Sequence, residues 1–193
     1  LKGVDGPING AQRTELEKVN EISRRLLALF NLLLDTQLLM GDRNSFNIEP
    51  VQAAAILEEV VAAGHVLAKR RGFLFEPNVA PNLYYVTVQC DISRLKQALS
   101  ALLAVSAKHM TDGVVILRAG ATSNEFVIRI QNSGCRLPAP LLADLPYLLT
   151  DVADRAFPYD AHLRLGLAWH LVVAMEGSLQ ADRTDAACAF TVT

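Results

Sequence analysis

The chain opens on one long apolar stripe and then changes to short alternating elements. Leu16, Val19, Ile22, Leu26, Leu29, Phe30 and Leu33 recur at threes and fours, and after a polar gap at Thr36 and Gln37 the same face resumes at Met40. That spacing predicts a long amphipathic helix. Thr14 followed by Glu15 and Glu17 gives it a start with acid in the first turn, while Gly3, Gly6, Pro7 and Gly10 make the preceding residues a turn or frayed end. A stripe of this kind needs a partner helix. A second copy of the chain or an upstream helix is the favoured partner, and packing on the chain's own domain is the plainer alternative.

From Gly41 the elements shorten. Asn44 to Ile48 reads as a strand, and Pro50 stands where it can open a helix over 51–69 carried by Val51, Ala54, Ile56, Val60 and Val61 and closed by Arg70, Arg71 and Gly72. Residues 73–76 and 83–89 read as strands separated by a turn holding Pro77, Asn78, Pro81 and Asn82. Asp91 can cap a helix carrying Leu95, Leu99, Leu102, Leu103 and Val105, ending near Met110 before the turn Thr111-Asp112-Gly113. Residues 114–119 and 125–130 pattern as a hairpin. Residues 138–163, with four prolines, read as irregular, followed by a helix over 165–175 and strands at 178–181 and 189–193. The order predicts an α+β fold, a two-layer α/β sandwich preceded by a long helix, with a helical segment at 1–42 and a second domain at 43–193.

Composition narrows the class without naming it. A length of 193 residues, half of them hydrophobic, accommodates one domain plus a helical appendage. The net charge of −2, from 18 basic and 20 acidic residues spread along the chain, argues against a nucleic-acid surface. Cys90, Cys135 and Cys188 are irregularly spaced and lack a Cys-x-x-Cys pair, so they read as thiols in the core of a reduced, cytoplasmic protein and not as metal ligands. No apolar run approaches the roughly 18 residues of a membrane span.

Several strings, taken in order, resemble the sensor histidine kinases of two-component signalling. Residues 24–35, Arg-Arg-Leu-Leu-Ala-Leu-Phe-Asn-Leu-Leu-Leu-Asp, are similar to that family's second dimerisation helix, and Phe46-Asn47-Ile48-Glu49-Pro50-Val51 to the entry of its ATPase domain. Asp91 to Leu99 resembles the run into the family's asparagine-bearing helix. Gln131 to Pro138 resembles its first glycine box, and Leu165-Gly166-Leu167-Ala168 its second. The resemblance implies a Bergerat-type ATPase sandwich, a homodimer made through Leu26, Leu29, Phe30 and Leu33, and a response regulator or partner kinase as a further partner.

The resemblance also locates a nucleotide site whose chemistry departs from the family. Val105 stands where an asparagine would hold magnesium, and Ala101 replaces the other helix asparagine, so neither offers the oxygen that a hard cation needs. Lys108 remains near that edge as a point charge or as a solvated helix-end lysine. Asn132 replaces the aspartate that accepts from the adenine amino group. Gly134 keeps one glycine of the first box, while Arg136 replaces another. In the second box His162 and Arg164 stand at glycine positions and Gly166 survives, which obstructs a backbone cradle for phosphates. None of His65, His109, His162 and His170 matches the phosphoacceptor, which in the family lies on the first dimerisation helix. His170, inside an apolar helix, is expected to be a satisfied structural residue. The expected function is therefore a pseudokinase with no cofactor. The alternative is a divergent ATP- and magnesium-using kinase, or a phosphotransferase whose acceptor helix lies upstream.

Overall fold

The computed structural model describes residues 9–20, 22–23, 46–110, 113–123, 125–148, 159–184 and 187–193. Residues 10–20 and 22–23 are helical, and Leu16, Val19 and Ile22, the described part of the apolar stripe, are exposed at 39%, 58% and 61%. The interface positions Leu26, Leu29, Phe30 and Leu33 lie outside the described residues.

The domain begins with β1 (Glu49–Gln52), α1 (Ala53–Arg71) and β2 (Leu74–Val79), followed by a 3-10 turn at Pro81–Tyr85, β3 (Thr87–Cys90) and α2 (Ile92–Lys108). It continues with β4 (Val114–Ala121), β5 (Phe126–Ser133), the short α3 (Ala139–Ala143), a 3-10 turn at Leu145–Tyr147, α4 (Tyr159–Ala174), β6 (Leu179–Arg183) and β7 (Ala187–Val192). β1 and β3 form a small antiparallel pair. The main sheet has the order β2-β4-β5-β7-β6, with β2 parallel to β4 and the other neighbours antiparallel. α2 packs between α1 and α4 and touches β5, giving one layer of helices on one layer of sheet.

Strand alternation explains the shared core. Residues two apart on a strand face the same side, and the register aligns three buried rows across β4, β5 and β7. These are Ala119 with Ile128 and Val192, Leu117 with Ile130 and Phe190, and Val115 with Asn132 and Cys188. The helices answer with Leu95, Leu99, Leu102 and Val105 from α2 and Leu165, Ala168, Leu171 and Val172 from α4, in the same apolar cluster. Asn132 is the polar member of the inward face.

The ends of the helices follow their sequence signals. Asp91 caps α2 by accepting from the Arg94 N–H at 3.0 Å, as predicted, and also accepts from the Asn47 N–H at 3.1 Å, tying the entry segment to that helix. Gly72 ends α1 at φ 74°, its N–H donating to the Ala68 carbonyl at 2.8 Å.

Several boundaries differ from expectation. Pro50 lies in β1 instead of opening α1, and Pro77 and Asn78 belong to β2 instead of a turn; both strands are sheet edges, where a residue without an N–H is tolerated. Pro81 presets a 3-10 turn that buries Leu83, so the strand expected from residue 83 begins only at Thr87. The stretch read as irregular holds α3, and α4 begins at Tyr159 instead of residue 165. Cys135 and Cys188 are joined in a disulfide with Cα atoms 5.3 Å apart, which corrects the reading of both as plain thiols. Their separation of 53 residues hid a proximity that only the β5–β7 register creates. Cys90 is a buried free thiol, its pKa raised by burial and then by the neighbouring Asp91 and Glu49 carboxylates.

Candidate functional site

The positions singled out in the sequence converge on one end of the sandwich, where α2 finishes, β5 finishes and α4 starts. α2 delivers Ala101 and Val105 inward, both buried, with Val105 at 0% exposure, and places Lys108 on the surface in its last turn. β5 delivers Asn132, also at 0%. Beyond it Gly134 adopts φ 60°, a left-handed turn that glycine takes without Cβ strain. The loop is then pinned from two sides. Met110 and Cys135 form an antiparallel bridge and the Arg136 N–H donates to the His109 carbonyl at 2.8 Å, while Cys135 is bonded to Cys188 of β7. The Arg136 side chain is exposed.

The other wall is apolar. Leu137, Leu141, Leu142, Leu145 and Leu148 are buried in the common core. His162, in the first turn of α4, is 3% exposed, and its Nε2 meets the Leu148 carbonyl. An imidazole at this position thus ties α4 to the leucine-bearing segment. Arg164 is exposed, and Gly166 is buried inside α4 instead of forming an open turn. The structure therefore groups Val105, Asn132 and Gly134 with the loop that follows β5, and it leaves Lys108 and Arg164 at the surface.

The chemistry of these donors is uneven. Magnesium requires oxygen ligands, and the α2 positions 101 and 105 offer hydrocarbon, so they do not fit the ion. No group of three or more His, Cys, Asp or Glu suited to a metal occurs among the described residues. Asn132 is different, because its Oδ1 and Nδ2 are both buried without a hydrogen-bond partner among the described residues, as is Ser106 Oγ on α2. A buried amide with one acceptor and two donors left open is costly, and it matches the donor-and-acceptor edge of a planar base.

The sequence reading missed the role of His162 and the depth of the leucine segment. Leu141, Leu142, Leu145 and Leu148 do recur at threes and fours, a helical signal masked by Pro138, Pro140 and Pro146. His170 corrects an expectation. Its Nε2 has no hydrogen-bond partner among the described residues, its ring meets Trp169 edge-on at 5.0 Å, and burial lowers its pKa from 6.5. Protonation then favours the unfolded chain, so the stability tied to His170 is complete above about pH 6.5 and declines as pH falls below it. Thermal melts from pH 8 to 5 should show a smaller acid-side decline for His170→Gln than for the parent; identical pH profiles would remove His170 as the cause.

The layer order, the sheet topology and the placement of the glycine-box strings together define a sensor-histidine-kinase-like ATPase domain. Among curated proteins, the chain is 25% identical over 182 residues to the sensor protein TorS of Escherichia coli, covering 93% of this chain and 20% of TorS. Among solved structures it matches the Acinetobacter baumannii histidine kinase AdeS with a TM-score of 0.65 and 20% identity, over 98% of this chain and 86% of that one. It matches full-length ShkA, solved in complex with AMPPNP, with a TM-score of 0.71 and 21% identity, over 97% of this chain and 39% of that one. The chain thus spans about a fifth of TorS. No family model matches it. No helix among the described residues is long and apolar enough to cross a membrane.

Proposed function

We propose that this chain is a degenerate histidine-kinase-like signalling protein, a pseudokinase that works through dimerisation and protein partner binding in a two-component pathway. The observation that carries this reading is Val105. At the position where the resemblance calls for a magnesium-binding asparagine, a wholly buried hydrocarbon faces the core, and a metal brought there would meet no oxygen. Ala101 repeats the loss one helical turn away. The exposed Leu16, Val19 and Ile22 support the dimer reading, since an uncovered apolar face on a helix calls for a partner. A response regulator or a partner kinase is the further partner.

A second reading, a divergent ATP-binding kinase or a phosphotransferase with its acceptor helix outside this chain, draws support from Asn132. Its amide has no hydrogen-bond partner among the described residues, and a base edge would pair with it only if that end of the sandwich opened. Calorimetric titration of ATP and ADP, with and without magnesium, separates the two. The pseudokinase reading expects no heat and no thermal shift at millimolar nucleotide in either condition. Micromolar, magnesium-dependent binding would overturn it.

A further inference from the structure

At the end of the sandwich away from Asn132, a cavity of about 380 Å3 opens between the start of α2, the first half of β5 and the turn after α4. Leu95 at the cavity and Val105 are ten residues apart on α2, roughly 15 Å along the helix axis. Phe126 and Asn132 are six apart on β5, about 20 Å along the strand. The cavity is therefore separate from the positions discussed above. Buried Cys90, Leu95, Ile128, Val172 and Val192 give it apolar walls, and its volume falls within the ~300–1,000 Å3 of small-molecule sites.

Its charge is one-sided. Glu125 and Glu176 line it and are exposed, and among the described residues no Lys, Arg or His lines it. Glu176 is also the one non-glycine residue with positive φ among the described residues, at 63°. The bonds from the Glu176 and Gly177 N–H groups back to the last turn of α4 make this the left-handed residue that ends the helix, a place glycine usually takes. The surrounding turn is hydrogen-bonded on both sides. Glu176 and Gly177 donate to the Val173 and Val172 carbonyls, both at 3.0 Å, and Ser178 and Thr193 exchange N–H···O bonds at 2.8 and 3.0 Å. A Cβ on Gly177 would lie 2.6 Å from the Thr193 carbonyl oxygen, so the last strand closes directly on the turn.

The geometry points to a binding site for a small amphipathic cation, a compact apolar body held among Leu95, Phe126 and Met175 with one ammonium group at Glu125 and Glu176. This site stands independently of the pseudokinase reading. Phenethylamine is a suitable probe and phenethyl alcohol its uncharged counterpart. Cys90 reports occupancy, because its side chain lines the cavity and it is the chain's one cysteine outside the disulfide.

In the intact chain, millimolar phenethylamine should raise Tm and slow alkylation of Cys90 by N-ethylmaleimide about fivefold, with the alcohol weaker. Glu176→Gln should weaken the amine's effect by about three- to tenfold and leave that of the alcohol unchanged, the scale of one partly solvated charge contact. Glu176→Gly should raise Tm without ligand while losing the preference for the amine. Equal responses to both probes, no response to either, or an amine effect untouched by Glu176→Gln would each overturn the assignment.

Discussion

Reducing the Cys135–Cys188 disulfide, or replacing both cysteines by serine, is expected to lower the unfolding free energy by about 4 kcal/mol. The bond closes a loop across a sequence separation of 53, and in the chain-entropy model a loop of that size removes roughly this much freedom from the unfolded state. For a domain of this size the loss should appear as a fall in Tm of about 10 °C. The bond also holds the Gly134 turn. With it cut, the Met110–Cys135 bridge and the hydrogen bond from Arg136 to the His109 carbonyl are left to pin the loop alone. Amide exchange at Arg136 should therefore accelerate more than exchange in the middle of β5. Melting curves that coincide with and without reductant would mean that the two sulfurs are not bonded in the folded protein, and the loop would have to be held by other contacts.

Val105→Asn is expected to destabilise the domain by about 3 kcal/mol and to leave magnesium-dependent nucleotide binding absent. The cost has two parts, the lost burial of an apolar side chain and the placement of an amide in a wholly apolar position. Restoring one oxygen donor is not enough, because Ala101 still supplies none and the leucine segment with His162 stays packed over the same end. Urea unfolding gives the stability change, and titration with ATP and magnesium gives the binding. A variant that gains micromolar, magnesium-dependent affinity would show that Val105 alone had silenced an otherwise intact site, and the divergent-kinase reading would take its place.

These two outcomes depend on features of different legibility in the sequence. The α2 cap at Asp91, the β4–β5 hairpin and the core face of α2 followed from local patterns, since capping and periodicity act over a few residues. The resemblance carried Val105, Asn132, Gly134 and Gly166 to their places in the order of elements, but it said nothing about whether each side chain would be open or sealed. Boundaries failed where proline was read as punctuation. Pro50 and Pro77 lie within edge strands, where the missing N–H costs no ladder bond, and Pro140 lies in the first turn of the short α3.

By itself, then, the sequence determined the layer order of the domain, because capping and periodicity are written in residue type and short-range spacing, while the resemblance alone singled out Ala101 and Val105 for comparison with a magnesium site. The tertiary structure decided the rest. It paired Cys135 with Cys188 through the β5–β7 register, set His162 against Leu148, buried Asn132 with its amide unsatisfied, and opened a cavity beside Glu176. Each of these joins segments far apart along the chain, and such contacts follow from how sheet and helices close on one another, which no local pattern encodes.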